Sequence, residues 1–400
     1  MLTLDLVYRA STVLHDVIRK TPLIHTDKIN PACNVYLKPE NLQVTGSFKV
    51  RGAGFKISQL SDEEKSRGVI ACSAGNHAQG VALAARRLGI PSLICMPAGA
   101  PISKVEATRE LGAEICLVPG VYDDAFAKAM QLNEEKRMTF IHPFDDEQVI
   151  AGQGSIGMEI LGEKPDIDVI FVPIGGGGLA SGVAYAVKML NPSVRVIGVQ
   201  AQGAASMVKS LDHNQIESLS SVLTIADGIA VKEPGVHTFE LCQQYVDDVV
   251  AVSEDEICAA ILALIEHHKL IAEGAGAVSV AAAMFNKADI RGKNVCCIVS
   301  GGNIDVTILS RVINRGLMKG GRTTEMLIEM PDRPGSLMGL CSVICRFGAN
   351  IISIHHERNG ESPDVNSCNL RVVLETRNAD HVRDIHIGIE AAGYTLLHEK

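Results

Sequence analysis

Along most of the chain, short apolar runs alternate with stretches in which apolar positions recur every three or four residues. The first pattern predicts buried strands and the second amphipathic helices. Residues 68–72, 90–96, 113–118, 168–174, 194–199 and 294–299 have strand length and strand character, with Val and Ile prominent. Between them, residues 81–89, 102–111, 123–136, 183–190 and 257–271 read as helices, the last with Ile257, Ile261, Leu264 and Ile265 on one stripe. Hydroxyl caps followed by acids, Ser61-Asp62-Glu63-Glu64 and Ser253-Glu254-Asp255-Glu256, mark helix starts. Residues 1–30 read as a helix and an extended segment, and residues 34–39 as a short strand. This alternation predicts an α/β fold, with parallel sheet covered by helices on both faces.

The pattern changes at 316–323, a glycine-containing stretch read as a linker. Beyond it, strands are expected at 324–330, 350–357, 368–376 and from Tyr394, with helices at 337–347 and 380–392. That βαββαβ order predicts a ferredoxin-like sandwich over 324–400. The larger part, 1–315, is long enough for two subdomains, the smaller at about 46–150.

Composition narrows the function classes. Of 400 residues, 46% are hydrophobic and 21% charged, ordinary for a globular chain. A net charge of −9, with no basic run, argues against nucleic acid as a partner. No stretch approaches the ~18–20 apolar residues of a membrane span, and the amino end lacks the pattern of a signal peptide. The eleven cysteines include no C-x-x-C pair and no disulfide framework is expected, so a reducing cytoplasm is the expected location. Adjacent Cys296 and Cys297 read as buried small hydrophobes.

Candidate chemistry gathers at the turns. Lys49 lies in Gly46-Ser47-Phe48-Lys49-Val50-Arg51-Gly52, between glycines and after an aromatic. A lysine held among apolar groups has a depressed pKa and can form a Schiff base with a carbonyl; the alternative is a solvated lysine at a helix start. Ser73-Ala74-Gly75-Asn76-His77 joins a strand to a helix, where free N–H groups suit a carboxylate. Gly175-Gly176-Gly177-Gly178-Leu179 follows the strand at 168–174 and suits a phosphate. Ser300-Gly301-Gly302-Asn303 closes the strand at 294–299. Gly152-Gln153-Gly154-Ser155-Ile156-Gly157 matches the dinucleotide fingerprint G-x-G-x-x-G, but no strand precedes it, so a close-packed helix start is the favoured reading.

These turns and Lys49 together resemble the fold-type II pyridoxal-phosphate enzymes, most closely the threonine dehydratases (threonine ammonia-lyases), over about 21–315. The C-terminal unit resembles an ACT domain through the turn Asp332-Arg333-Pro334-Gly335-Ser336-Leu337. The resemblance implies a single-ACT threonine dehydratase: a lyase that eliminates water from L-threonine to an enamine, which hydrolyses to 2-oxobutanoate and ammonia, with L-serine a slower substrate. It makes Lys49 the Schiff-base lysine and base, and Phe48 the residue beside the ring of pyridoxal 5'-phosphate. Asn76 would bond the ring hydroxyl, Gly175, Gly176, Gly177, Gly178 and Leu179 would hold the phosphate, and Ser300 would face the ring nitrogen. Ser73, Ala74, Gly75, Asn76 and His77 would receive the substrate carboxylate, with Ser73 also assigned to catalysis; Asp332, Gly335 and Ser336 would hold an amino-acid effector.

Serine racemases of this fold carry a second serine where this chain has Ala74, so racemisation is not expected. Their acidic divalent-cation ligands correspond here to neutral Gln200 and Ser206, so no divalent metal is expected, while a monovalent cation held by carbonyl oxygens stays open. Glu273 falls near the cofactor by resemblance, without an assigned role. Other readings are a β-replacement synthase, an inactive amino-acid sensor and, from the misplaced fingerprint, an NAD-dependent enzyme. Family-level expectations are a homotetramer or homodimer regulated by branched-chain amino acids, in isoleucine biosynthesis or in catabolism.

Overall fold

The chain forms two compact units, residues Met1–Ile308 and Leu309–Lys400, in a computed structural model that describes residues 2–357 and 366–399. The first unit contains ten strands: β1 Ile24–Thr26, β2 Asn34–Lys38, β3 Val69–Cys72, β4 Ser92–Pro97, β5 Glu114–Val118, β6 Thr139–Phe140, β7 Val169–Pro173, β8 Arg195–Ala201, β9 Asp248–Val252 and β10 Asn294–Ile298. They make a six-stranded sheet, ordered β1-β2-β10-β7-β8-β9, and a four-stranded sheet, ordered β5-β4-β3-β6. Only the β1–β2 pair is antiparallel. Helices cover both faces, which is why β3 and β7 are buried at every position rather than at alternate ones. Cys296 and Cys297 are fully buried, as their setting in β10 requires, and all eleven cysteines are free.

Two helices start earlier than their apolar spacing predicts. Asn76–Arg87 and Gly178–Leu190 each begin five residues before the first valine of the expected helix. Both first turns line a cavity, so they carry glycine and polar residues and leave no hydrophobic period to read. Residues 257–271 contain a break: the helix Glu254–Ala263 passes into a π-helical turn at Leu264–His268.

The G-x-G-x-x-G stretch is neither a strand-to-helix turn nor a helix start. Its glycines lie within the helix Glu147–Glu163. A Cβ on Gly152 would sit 2.7 Å from the Arg51 carbonyl oxygen, and one on Gly154 would sit 2.9 Å from that of Gly182. The three glycines let this helix meet the helices Lys49–Ser58 and Gly178–Leu190 backbone to backbone, so they form a packing seam.

The second unit holds β11 Thr323–Pro331, β12 Asn350–Glu357, β13 Ser367–Glu375 and β14 Thr395–Glu399, ordered β12-β13-β11-β14 and all antiparallel. The helices Ser336–Arg346 and Ala379–Ala391 pack on one face, burying Met326, Ile328, Leu370, Val372 and Ile385. This is the expected ferredoxin-like sandwich. Within 316–323, the helix Val306–Lys319 runs to Lys319 and β11 begins at Thr323. No helix among the described residues is long and apolar enough to cross a membrane.

Candidate active site

The Lys49 loop is fastened to the turn after β10. Ser47 pairs with Gly301 across an isolated bridge, Phe48 N donates to Ser300 O at 3.0 Å, and Gly302 N donates to Gly46 O at 2.8 Å. Asn303 Nδ2 donates to Thr45 O at 2.8 Å and to Asn76 Oδ1 at 2.8 Å, which ties both loops to the 73–77 turn. Gly46 turns the chain with φ +70°, a conformation that a Cβ would oppose. Lys49 thus opens its helix at a fixed point on the cavity wall.

The Lys49 amine donates to Pro143 O at 2.7 Å and lies 5.3 Å from the Phe48 ring centroid. Burial lowers its pKa to about 8, against the opposing charge of Glu273. At pH 7 roughly one amine in ten is then neutral, where an ordinary lysine has fewer than about one in a thousand.

After β3 the chain turns through Ser73, whose Oγ accepts from Gly75 N at 3.1 Å. Gly75 caps the helix Asn76–Arg87 without a side-chain hydrogen bond, so its first amides keep their anion-binding capacity. His77 Nε2–H donates to Ile141 O at 2.9 Å, and burial drives its pKa down to about 3. The imidazole is therefore neutral, and any attraction for an anion at this turn comes from amides and the helix dipole. Asn76 Nδ2 donates to Glu273 Oε1 at 2.6 Å, leaving one amide hydrogen for another partner.

The glycine run after β7 is a packing necessity as well as a cradle. Gly177, at φ +104°, caps the helix Gly178–Leu190 with no side chain. A Cβ on Gly176 would lie 2.5 Å from the Phe144 ring, and one on Gly177 would lie 2.6 Å from Thr238 Cβ. No larger residue fits either position. Ser300, almost fully buried, donates from Oγ to Ala275 O at 3.2 Å.

Lys49, the turns at 73–77 and 175–179, and Ser300 line one cavity of about 950 Å³. Lys49, Phe48, Ser73, Ala74, Gly75, Asn76, His77, Gly175, Gly176, Gly177, Gly178, Leu179 and Ser300 all reach it, so every expected cofactor and substrate residue is brought to the same space. Asp332, Gly335 and Ser336 belong to the other unit.

Sequence reasoning missed Pro143 and Lys104 among the lining groups. Pro143 offers only a carbonyl, which has no sequence signal. Lys104 Nζ pairs with Asp227 Oδ2 at 2.6 Å from a distant segment; Asn303, of the turn after β10, lies outside the lining and acts through its amide bridge. Glu273, buried beside Asn76, is pushed up to about 7 by burial and then by the charge of Asp227. Gln200 and Ser206, the neutral pair, serve the fold: Gln200 Oε1 accepts from Val208 N at 2.9 Å and Ser206 Oγ donates to Val231 O at 3.0 Å.

A cavity with two uncapped helix starts, a partly neutral amine and a buried hydroxyl suits a phosphorylated aldehyde and an amino acid. The family described as pyridoxal-phosphate dependent enzyme matches residues 14–301. The L-threonine ammonia-lyase of Thermotoga maritima is 48% identical over 396 residues, 98% of each chain. This chain belongs to the threonine ammonia-lyase family of pyridoxal-phosphate dependent enzymes. Among solved structures, the processed threonine deaminase isoform 2 of Solanum lycopersicum matches this family member with TM-score 0.74 and 41% identity, over 78% of this chain and 93% of that one. Maize serine racemase matches with TM-score 0.75 and 35% identity, over 80% and 98%. The donor set fits pyridoxal phosphate, which is the cofactor of this family member.

A pH prediction follows from Lys49. Apoprotein given pyridoxal phosphate should recover its visible absorbance at a rate that rises with pH and levels off above about 8, as the amine loses its proton. Stopped-flow absorbance would read it. A rate that keeps rising towards pH 10 would mean an ordinary, solvated lysine.

Proposed function

We propose that this chain deaminates L-threonine to 2-oxobutanoate and ammonia, and L-serine more slowly to pyruvate. One observation carries the reading: the Lys49 amine shares a single cavity with two uncapped helix starts, one for a phosphate and one for a carboxylate. When bound, pyridoxal phosphate supplies an aldehyde for the amine and a conjugated ring that delocalises negative charge from the α-carbon. Gly175 to Leu179 would hold the phosphate through backbone amides at the helix start. Phe48 would pack beside the ring, Asn76 would bond its hydroxyl with the remaining amide hydrogen, and the neutral Ser300 hydroxyl would face its nitrogen.

Lys49 would hold the cofactor, and its free amine would be the base for the substrate's α-proton; its lowered pKa keeps a useful fraction in the base form near neutral pH. The amides from Ser73 to His77 receive the substrate carboxylate, and Ser73 Oγ orders that turn. Ser300, an uncharged hydroxyl, would leave the ring nitrogen without a charged partner. Glu273, titrating near pH 7 beside Asn76, can hold or release a proton at Oε2 during turnover.

The racemase reading is disfavoured by Ala74, which offers no hydroxyl to return a proton from the opposite face. We further infer that Asp332, Gly335 and Ser336 hold an amino-acid effector of branched-chain type. Gly335, at φ +92°, caps the helix Ser336–Arg346 and leaves its first amides without a side-chain partner. Residues 1–315 are the catalytic domain and 324–400 the ACT domain of a cytoplasmic homotetramer or homodimer. Isoleucine inhibition countered by valine would mark a biosynthetic enzyme.

Incubation with L-threonine should yield 2-oxobutanoate and ammonia in equal amounts. Incubation with L-serine should give pyruvate; D-serine at a comparable rate would support the racemase instead.

A further inference from the structure

Three side chains in the second unit converge where the sequence offers no metal motif. Asp332 follows β11, His356 lies in β12 and Cys368 in β13, and their ligand atoms fall within 4.8 Å of one another. Sheet register explains the meeting. Cys368 sits opposite Met330, two residues before Asp332, and His356 sits opposite Leu370, two residues after Cys368. The period of a strand therefore brings all three to one face at one end of the sheet.

We propose that Asp332, His356 and Cys368 form a site for a divalent transition-metal ion of the zinc class. The donors are one thiolate, one imidazole and one carboxylate, the set that zinc accepts in tetrahedral sites, with a fourth position for water. His356 Nε2 and Cys368 Sγ are 3.0 Å apart, and Cys368 Sγ also lies 3.6 Å from Met330 O. A thiol has a single proton, so these contacts are not all thiol donations, and the sulfur is held at a point where a cation can replace that proton.

Zinc bond lengths at a tetrahedral angle would set sulfur and nitrogen about 3.6 Å apart. The sulfur–nitrogen pair must open slightly, which rotation of the exposed His356 side chain can provide. Cys368 is buried and fixes the third position. Binding releases the thiol proton to solvent, so affinity falls as pH falls. Spacings of 24 and 12 residues between ligands, taken from separate strands, hid the set from pattern reading. This site stands apart from the catalytic reading. It shares Asp332 with the proposed effector turn, but metal occupancy is measured without effector.

The test is calorimetric titration of zinc into untagged, full-length holoenzyme, together with elemental analysis after dialysis. One zinc per chain is expected. His356→Asn, at an exposed position, should weaken binding by about a hundredfold or more, and Cys368→Ser should weaken it as well. If the serine variant fails to fold, the asparagine variant alone decides. Equal affinity in wild type and His356→Asn, or no zinc retained by wild type, would overturn the proposal.

Discussion

Lys49→Ala is expected to abolish the visible absorbance of the holoenzyme and lower kcat for L-threonine by about 10⁴-fold or more. The size reflects two tasks carried by one amine, holding the cofactor and moving the α-proton. The fold should survive. Lys49 makes a single hydrogen bond, to Pro143 O, and its burial opposes its charge. Far-ultraviolet circular dichroism should therefore match wild type, and free pyridoxal phosphate should restore no more than a trace of turnover. A colourless but active variant would move the chemistry to another amine.

Arg51→Met is expected to cost about 3–5 kcal/mol of stability in the catalytic unit. Arg51 is fully buried two residues beyond Lys49. Its Nε and Nη2 each donate to Glu40 at 2.8 Å, while Nη1 and Nη2 donate to Glu159 at 2.6 and 2.9 Å. Lys38, also buried, donates to Glu159 at 2.6 Å, so two cations balance two carboxylates. Burial alone would raise the pKa of Glu40, but Arg51 holds it below the ordinary value. Methionine would leave the buried Glu40 and the part-buried Glu159 facing one lysine. Arg51→Lys should lose less, because it keeps the charge but not the two-pronged geometry. Urea midpoints of the three proteins would order them; a methionine variant within about 1 kcal/mol of wild type would remove the buried network from the stability account.

The Arg51 network also marks where the sequence stops being legible. Strands β3, β7 and β10 are readable because burial on both faces writes continuous apolar runs, and the glycine run after β7 has little use outside a tight strand-to-helix turn. Lys38, Glu40, Arg51 and Glu159, by contrast, look like ordinary surface charges in sequence. Only tertiary packing buries them together. The same limit hid the helix starts at Asn76 and Gly178, whose first turns face a cavity and carry no apolar period. It also placed G-x-G-x-x-G at a helix start rather than inside a helix, where close helix packing asks for the same glycines. Lys49 itself was ambiguous in its own heptapeptide. Its role emerges from the partners that the fold delivers: Ser300, Asn76, Glu273 and the carbonyl of Pro143.

Borohydride reduction of the holoenzyme followed by peptide mapping tests that role most directly. Reduction should fix one cofactor per chain on the peptide containing Lys49, at near-complete yield and on no other lysine. Cofactor on a different lysine, or spread over several with Lys49 unmodified, would contradict it.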